Sequence, residues 1–453
     1  MKRYMRWAGL LCSVAFPALA IADTDQAPFK VGEVVVIGHA TDFSGYSVKR
    51  HFPEAAITVL NVGEGNEQRA IQALTQRGVR AYHNRVAEKF AVNDPYAGYQ
   101  WHFNTVQAPQ AWTLATGAGV VVAVLDTGLN TAGPDGINCV TAAKDMVGSV
   151  NGVTDVQGHG THVSGTIAQK TDNGVGVAGL AYGSCVMPVK VLDDTGSGTF
   201  ADIAAGIHYA VDNGARVINM SLGVSARFGL TNDPVMDPAL DYANQAGVTV
   251  VVAAGNDGFR KNVSYPAIYP TTIAVGATGY NNALASYSNY GKGLDVVAPG
   301  GNLSADQNND GYADGVLQET FDSNGFGYWF YQGTSMASPH VAAISALLIS
   351  HGNATTPDEV RAALQDTALD LGSAGKDTKY GYGLVQAYNA LQWVAGVTVP
   401  PSGGSCTDLD GDGVCAEAGD CDDNDPQVYP GFNEKGRRSF DGKDNDCNGI
   451  IDG

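Results

Sequence analysis

Basic residues are scarce in this chain: 26 Lys and Arg stand against 46 Asp and Glu, a formal net charge of −20. Proteins that grip phosphate backbones neutralise them with Lys and Arg, so this balance argues against nucleic acid as a partner. Long apolar runs are missing too. Beyond the first residues no stretch approaches the roughly twenty apolar residues that a spanning helix needs, so no membrane segment is expected. Cysteine is sparse, at seven of 453 residues. A Gly-x-Ser-x-Gly elbow is also lacking, which argues against an esterase of the α/β-hydrolase kind.

At the N-terminus, Lys2, Arg3 and Arg6 precede a mostly apolar stretch from Trp7 to Leu19. Small-residue cleavage sites follow at Ala18-Leu19-Ala20 and Ala20-Ile21-Ala22. This reads as a secretory signal over residues 1–22, and the protein is expected to be exported and soluble. Cys12 falls inside that leader. The six remaining cysteines are an even number for an oxidising compartment, which favours disulfides. Cys139 and Cys185 are expected to pair, and Cys406, Cys415, Cys421 and Cys447 to pair among themselves.

Three motifs carry the chemistry: Val124-Leu125-Asp126-Thr127-Gly128, Gly158-His159-Gly160-Thr161-His162 and Gly333-Thr334-Ser335-Met336-Ala337-Ser338-Pro339. The apolar run Val120–Leu125 reads as a buried parallel strand that ends on Asp126. Gly158 and Gly160 let backbone pass close to His159 at a helix start. Ser335 begins an apolar helix, Met336–Ser350, where free N–H groups favour a developing oxyanion. A serine hydroxyl is a poor nucleophile unless a base adjoins it, and a carboxylate can orient that base. Ser335 is thus the expected nucleophile, His159 the general base and then acid, and Asp126 its orienter. His162 and His340 are expected to be structural.

With these motifs in the order Asp, His, Ser, the chain resembles the subtilisin-like (subtilase) serine proteases, nearest their thermitase-like secreted bacterial branch. The resemblance runs from about Asn93 to Trp393. It implies a serine endopeptidase acting on proteins and peptides as a monomer through an acyl-enzyme intermediate. Asn256, in Ala253-Ala254-Gly255-Asn256, would be the oxyanion donor beside the Ser335 N–H. Ser221-Leu222-Gly223 and Gly196-Ser197-Gly198 would bind an extended substrate strand. Ser264 would floor the P1 pocket beside Ala253 and Gly255, a lining without charge that implies apolar or aromatic P1 residues. The same resemblance places calcium at Asp94, Asp135 and Asn173, with the carbonyls of Val175 and Val177. The rival class is a catalytically inactive calcium-binding adhesion protein.

Alternating carboxylates with a turn-forming Gly suggest further calcium sites. One is Asp306-x-Asn308-x-Asp310-Gly311-x-x-Asp314, which has no Glu at the twelfth position. The tail repeats the pattern at Asp408, Asp410 and Asp412, and at Asp444, Asp446, Asn448 and Asp452. Residues 406–453 hold eleven Asp and two Glu against four Lys and Arg, so the acidity is concentrated there. So small a module needs metal or disulfides to fold.

The expected architecture is an α/β, doubly wound, mostly parallel sheet over residues 92–396. Strands are read at 186–191, 217–221, 249–253 and 273–277, and helices at 200–213 and 238–246. A small α+β block over 23–91 precedes it, with strands at 31–37 and 79–82 and a helix at 66–76. Its position resembles an inhibitor-type propeptide acting on its own protease. A linker, 397–405, leads to the disulfide- and calcium-stabilised module.

Overall fold

The computed structural model describes residues 29–38, 43, 45–63, 65–85 and 92–394. The expected leader, linker and acidic tail, with the tail cysteines and calcium ligands, lie outside the described residues. The chain divides into two compact units, with the boundary after Phe90. Among the described residues no helix is long and apolar enough to cross a membrane.

The first unit contains β1 (Phe29–Ile37), β2 (Ser47–Phe52), β3 (Ile57–Asn61), α1 (Glu67–Gln76) and β4 (Arg80–Arg85). Its antiparallel strands run in the order β2-β3-β1-β4. Val34 and Val36 alternate onto one sheet face, where they meet Leu60 and, from α1, Ala70 and Leu74. Ala70 and Leu74 are four residues apart and so share a helix face. This is the small α+β unit expected. Sequence missed both β3 and β2, the latter a strand whose residues are all exposed.

The second unit is built on seven strands: β5 (Val121–Asp126), β6 (Lys144–Asp145), β7 (Cys185–Lys190), β8 (Val217–Met220), β9 (Thr249–Ala253), β10 (Thr272–Thr278) and β11 (Val296–Pro299). They pair in parallel in the order β11-β10-β9-β8-β5-β7-β6. Buried parallel strands need both faces covered, and alternation supplies both. Val122 and Val124 face one core, while Ala123 and Leu125 face the other. Short α2 (Trp101–Thr105) and α3 (Ala108–Ala111) precede β5. The first core is covered by α4 (His159–Ala168) and α7 (Thr334–His351), the second by α5 (Phe200–Asp212) and α6 (Met236–Gln245). Helix α7 is apolar on nearly every side and accordingly buried. Helices α8 (Pro357–Asp366) and α9 (Ala387–Leu391) close the unit.

From β5 the chain crosses to the edge strand β6, comes back to β7 beside β5, then passes to β8 on the other side and winds away from there. The crevice between β5 and β8 is therefore the topological switch point, where open α/β sheets place their sites. An antiparallel hairpin, β12 (Val316–Asp322) and β13 (Gly325–Tyr331), then delivers the chain to α7. Cys139 and Cys185 are disulfide-bonded, as expected.

Candidate active site

Asp126 is the last residue of β5 and is wholly buried, at 0% exposure. Its Oδ1 accepts the Thr127 N–H at 2.7 Å and faces His159 Nδ1, also at 2.7 Å. His159 stands first in α4, which can begin there because Gly158 takes a left-handed φ of 95°. Gly160 is equally constrained: a Cβ there would stand 2.3 Å from the Gly128 carbonyl oxygen. The helix's first N–H groups are satisfied by side chains. Gln157 Oε1 accepts from His159, Thr127 Oγ1 from Gly160, and Asp155 Oδ2 from Thr161.

Burial alone pushes the His159 imidazole down. The charge of Asp126 and its hydrogen bond outweigh this, with a smaller push from Asp155, and hold it above the ordinary value of 6.5. His159 remains 24% exposed, so its free edge meets solvent in the crevice. The two other histidines behave as expected. His162 Nε2 donates to the carbonyls of Val316 and Trp329, both at 3.1 Å, and the ring stacks on Tyr331. His340 bonds the Met336 carbonyl through Nδ1 and His102 through Nε2, each at 2.8 Å. Burial lowers His162 to about 3 and His340 to about 4.

Ser335 is the second residue of α7, and its Oγ donates to the Ser221 carbonyl at 3.2 Å. Beyond the end of β9, Asn256 Oδ1 accepts both the N–H and the hydroxyl of Thr334 at 2.9 Å. With its oxygen so held, the amide leaves Nδ2 on the other prong, beside Gly333.

Two cavities flank these groups and share Ser221, Leu222 and Gly223. One, of about 460 Å³, runs past His159 and Gly196-Ser197-Gly198 to Phe200. The other, of about 320 Å³, is lined by Ala253, Gly255, Asn256, Ser264 and Ser335. The structure thus gathers every expected substrate-binding residue around one crevice. It also corrects one expectation: the smaller cavity is not free of charge, because Asp257 lines it. The Asp257 carboxylate takes Asn289 Nδ2 at 3.3 Å and lies 4.0 Å from Arg227 Nε.

The expected metal ligands are less closely gathered. Among the described residues, no group of three or more His, Cys, Asp or Glu is assembled as a metal cage. Asp94 accepts the N–H groups of Asp172 and Asn173 at 3.0 and 3.1 Å. Asp135 accepts Asn173 Nδ2 and the Val177 N–H, both at 2.9 Å, while the Val175 N–H turns to Asn173 Oδ1. Burial pushes the Asp135 carboxyl up to about 7, and the charges of Glu319 and Asp94 add to it.

Sequence reasoning missed four supporting residues. Asp155 caps α4 with four hydrogen bonds, to Gln157, Gly158 and Thr161. Glu319 of β12 is buried and holds the N–H groups of Asp135 and Gly136. Thr334 fixes Asn256, and Asn289 ties Ser264 to Asp257. Only Asp155 left a signal, a carboxylate just before a helix start.

A buried carboxylate–imidazole pair, a serine at a helix N-terminus and a peptide-sized cleft at a switch point together define a serine endopeptidase. The chain belongs to the subtilase family, whose model matches residues 117–383. Thermitase from Thermoactinomyces vulgaris is 38% identical over 305 residues, 67% of this chain and all of thermitase. Subtilisin E from Bacillus subtilis is 37% identical over 332 residues, 72% of this chain and 79% of the relative. Among solved structures, a protease from Pseudoalteromonas arctica superposes with a TM-score of 0.60 at 35% identity, covering 67% of this chain and 99% of its own. A second family model, Cu-binding MopE, which describes a metal-binding motif, matches residues 420–453.

Proposed function

We propose that this chain is a secreted, calcium-stabilised endopeptidase that works through Asp126, His159 and Ser335. The observation that carries this reading is the 2.7 Å contact between Asp126 and His159 at the switch-point crevice that Ser335 also borders. An extended substrate lies along Ser221–Gly223 and Gly196–Gly198 as an added strand. His159 Nε2 takes the Ser335 proton as Oγ bonds to the scissile carbonyl carbon. The carbonyl oxygen then carries the charge and meets Asn256 Nδ2 and the Ser335 N–H. As the C–N bond breaks, His159 returns the proton to the leaving amine, and the acyl-enzyme forms. Water repeats the sequence with the same base. Asp126 keeps Nδ1 protonated and steadies the imidazolium.

The smaller cavity takes the P1 side chain, and its size and Ala and Gly lining suit apolar or aromatic groups. Arg227 engages Asp257, so that carboxylate does not convert the pocket to a basic preference. Residues 1–22 direct export, 23–91 serve as an intramolecular inhibitor, and cleavage falls shortly before Asn93. The mature catalytic domain runs to 396, and the linker and acidic module follow.

Asp94 and Asp135 suit a hard cation. Both are buried, and among the described residues neither has an ion-pair partner. Buried charge needs compensation. Calcium, held by Asp94, Asp135 and Asn173 with the carbonyls of Val175 and Val177, would supply it. The tail carboxylates would hold calcium in the same way.

Hydrolysis of a peptide series varied only at P1 tests the reading. Phe and Leu should be cleaved fastest, and Lys and Glu at least tenfold more slowly. A preference for Lys would mean that Asp257 governs the pocket.

A further inference from the structure

Between β11 and β12 the chain makes a closed loop with a narrow neck. Gly300 and Gly301 both donate to the Thr278 carbonyl, at 2.9 and 3.0 Å. Asn302 N–H donates to the Asp314 carbonyl at 2.8 Å, and Asp314 N–H donates to the Ala305 carbonyl at 2.8 Å. Within the loop the polar side chains curl inward upon their own backbone. Asp306 accepts the Gly311 N–H, Asn308 that of Asp310, Asp310 that of Tyr312, and Asp314 that of Gln307. Gly311 permits the turn with a φ of 89°.

Backbone donors explain why the loop can curl but not why it is so acidic. The decisive atom is Asp314 Oδ1. Asp314 is 1% exposed, and this oxygen is buried with no hydrogen-bond partner among the described residues. The other oxygen is held by Gln307 N–H, and the charges of Asp306 and Asp310 bear on the same carboxyl. None of the ion pairs among the described residues reaches these carboxylates. A buried carboxylate oxygen without a donor is costly unless a cation meets it. Three carboxylates and an amide oxygen, with no nitrogen or sulfur donor, are a hard set that suits calcium over transition metals.

We infer a calcium site of its own in this loop, with Asp306, Asn308, Asp310 and Asp314 drawn in as side-chain ligands from positions that do not by themselves form a cage, that braces the approach to Ser335. The neck is joined directly to the residues before the nucleophile. Gly333 N–H donates to the Gly300 carbonyl at 3.0 Å, and Leu303 N–H donates to Gln332 Oε1 at 2.7 Å. A cation that closes the loop thereby fixes both sides of the turn that presents Ser335. Trp101 Nε1 donates to the Gly315 carbonyl at 2.9 Å, so a buried indole adjoins the site.

The test uses the full chain carrying Ser335→Ala, to prevent self-cleavage, with calcium alone as the probe. Bound calcium is counted by equilibrium dialysis, and melting is followed in EDTA and in millimolar calcium. Asp306→Asn and Asp310→Asn change accessible residues and should each remove one bound calcium per chain. Asp94→Asn, at the other proposed site, should leave the loop's calcium in place, so combining it with Asp310→Asn should remove two. Asp314→Asn should reverse its rank: it melts above the parent in EDTA, where the orphaned charge is gone, and below it in calcium. Unchanged stoichiometry in Asp306→Asn and Asp310→Asn would overturn the site. So would an Asp314→Asn chain that melts below the parent in both conditions, because that is the mark of a purely structural residue.

Discussion

Ser221 and Ser335 exchange hydrogen bonds: Ser221 Oγ donates to the Ser335 carbonyl at 2.8 Å, and Ser335 Oγ donates to the Ser221 carbonyl at 3.2 Å. Pro339 explains the first of these. Within α7 the residue four positions on would donate to the Ser335 carbonyl, but Pro339 has no N–H. A side chain from beyond β8 takes its place. Asn219 Nδ2 in turn donates to Ser221 Oγ at 3.1 Å, and Ser338 Oγ donates to Asn219 Oδ1 at 2.6 Å. Ser221→Ala should therefore leave a carbonyl unpaired and cost about 1–3 kcal/mol of stability. It should also lower kcat about tenfold by loosening Ser335. Melting and steady-state kinetics on a small peptide check both, and a variant equal to the parent in both would break the link.

The pH dependence follows from His159. Asp126 holds its proton to a pH above 6.5, and only the neutral imidazole can accept the Ser335 proton. The value of kcat/KM should thus be low in acid and rise through a midpoint above about 6.5. Asp126→Asn removes the influence that raises the imidazole and leaves burial, which lowers it. Its midpoint should move to lower pH, while kcat falls about 10⁴-fold. A midpoint that stays in place would show that the pair does not govern the rate.

Asn256→Ala should reduce kcat by about 10²–10³ with little change in KM, since the oxyanion exists only as the reaction proceeds. Its partner Thr334 would be left without its acceptor, so folding is checked by melting. A loss confined to KM would move Asn256 from the oxyanion to ground-state binding.

Acid should unfold the catalytic unit through its buried histidines. His340 and His162 are depressed by burial to about 4 and about 3. In the unfolded chain each binds a proton near pH 6.5, so the unfolded state takes up more protons as pH falls. The stability these neutral rings contribute is full above about 6.5 and is lost progressively toward pH 4, at about 1.4 kcal/mol per pH unit per ring. Replacing His162 by Gln should flatten the slope of melting temperature against pH over that range. An unchanged slope would assign the acid sensitivity elsewhere.

Much of this was legible in the chain. The run Val120–Leu125 reads as a buried strand that delivers Asp126 at its end, and β5 does so. The glycines around His159 and the apolar helix after Ser335 were equally plain. Hidden from sequence were contacts between distant segments. Glu319 meets Asp135 across 184 positions, and Asn256 meets Thr334 across 78, with no local pattern to announce either. The charge beside the smaller cavity, the proposed P1 pocket, was adjacent in sequence, at Asp257, yet only the fold shows it facing that cavity. The hairpin β12–β13 was missed because Val316 to Asp322 carries Gln318, Glu319 and Thr320 in its buried positions. Thr320 Oγ1 donates to the Gly158 carbonyl, Gln318 Nε2 to the Ala178 carbonyl, and Glu319 accepts from the Asp135 loop, and these polar side chains mask the apolar signal of a strand.

The central claim is that Ser335 is the nucleophile activated by His159. Incubating the mature protein with an organofluorophosphonate and mapping the adduct by mass spectrometry tests it most directly. One equivalent should attach to Ser335, the enzyme should lose activity in proportion, and Asp126→Asn should label far more slowly. Labelling at another serine, or full activity after Ser335 is modified, would contradict it.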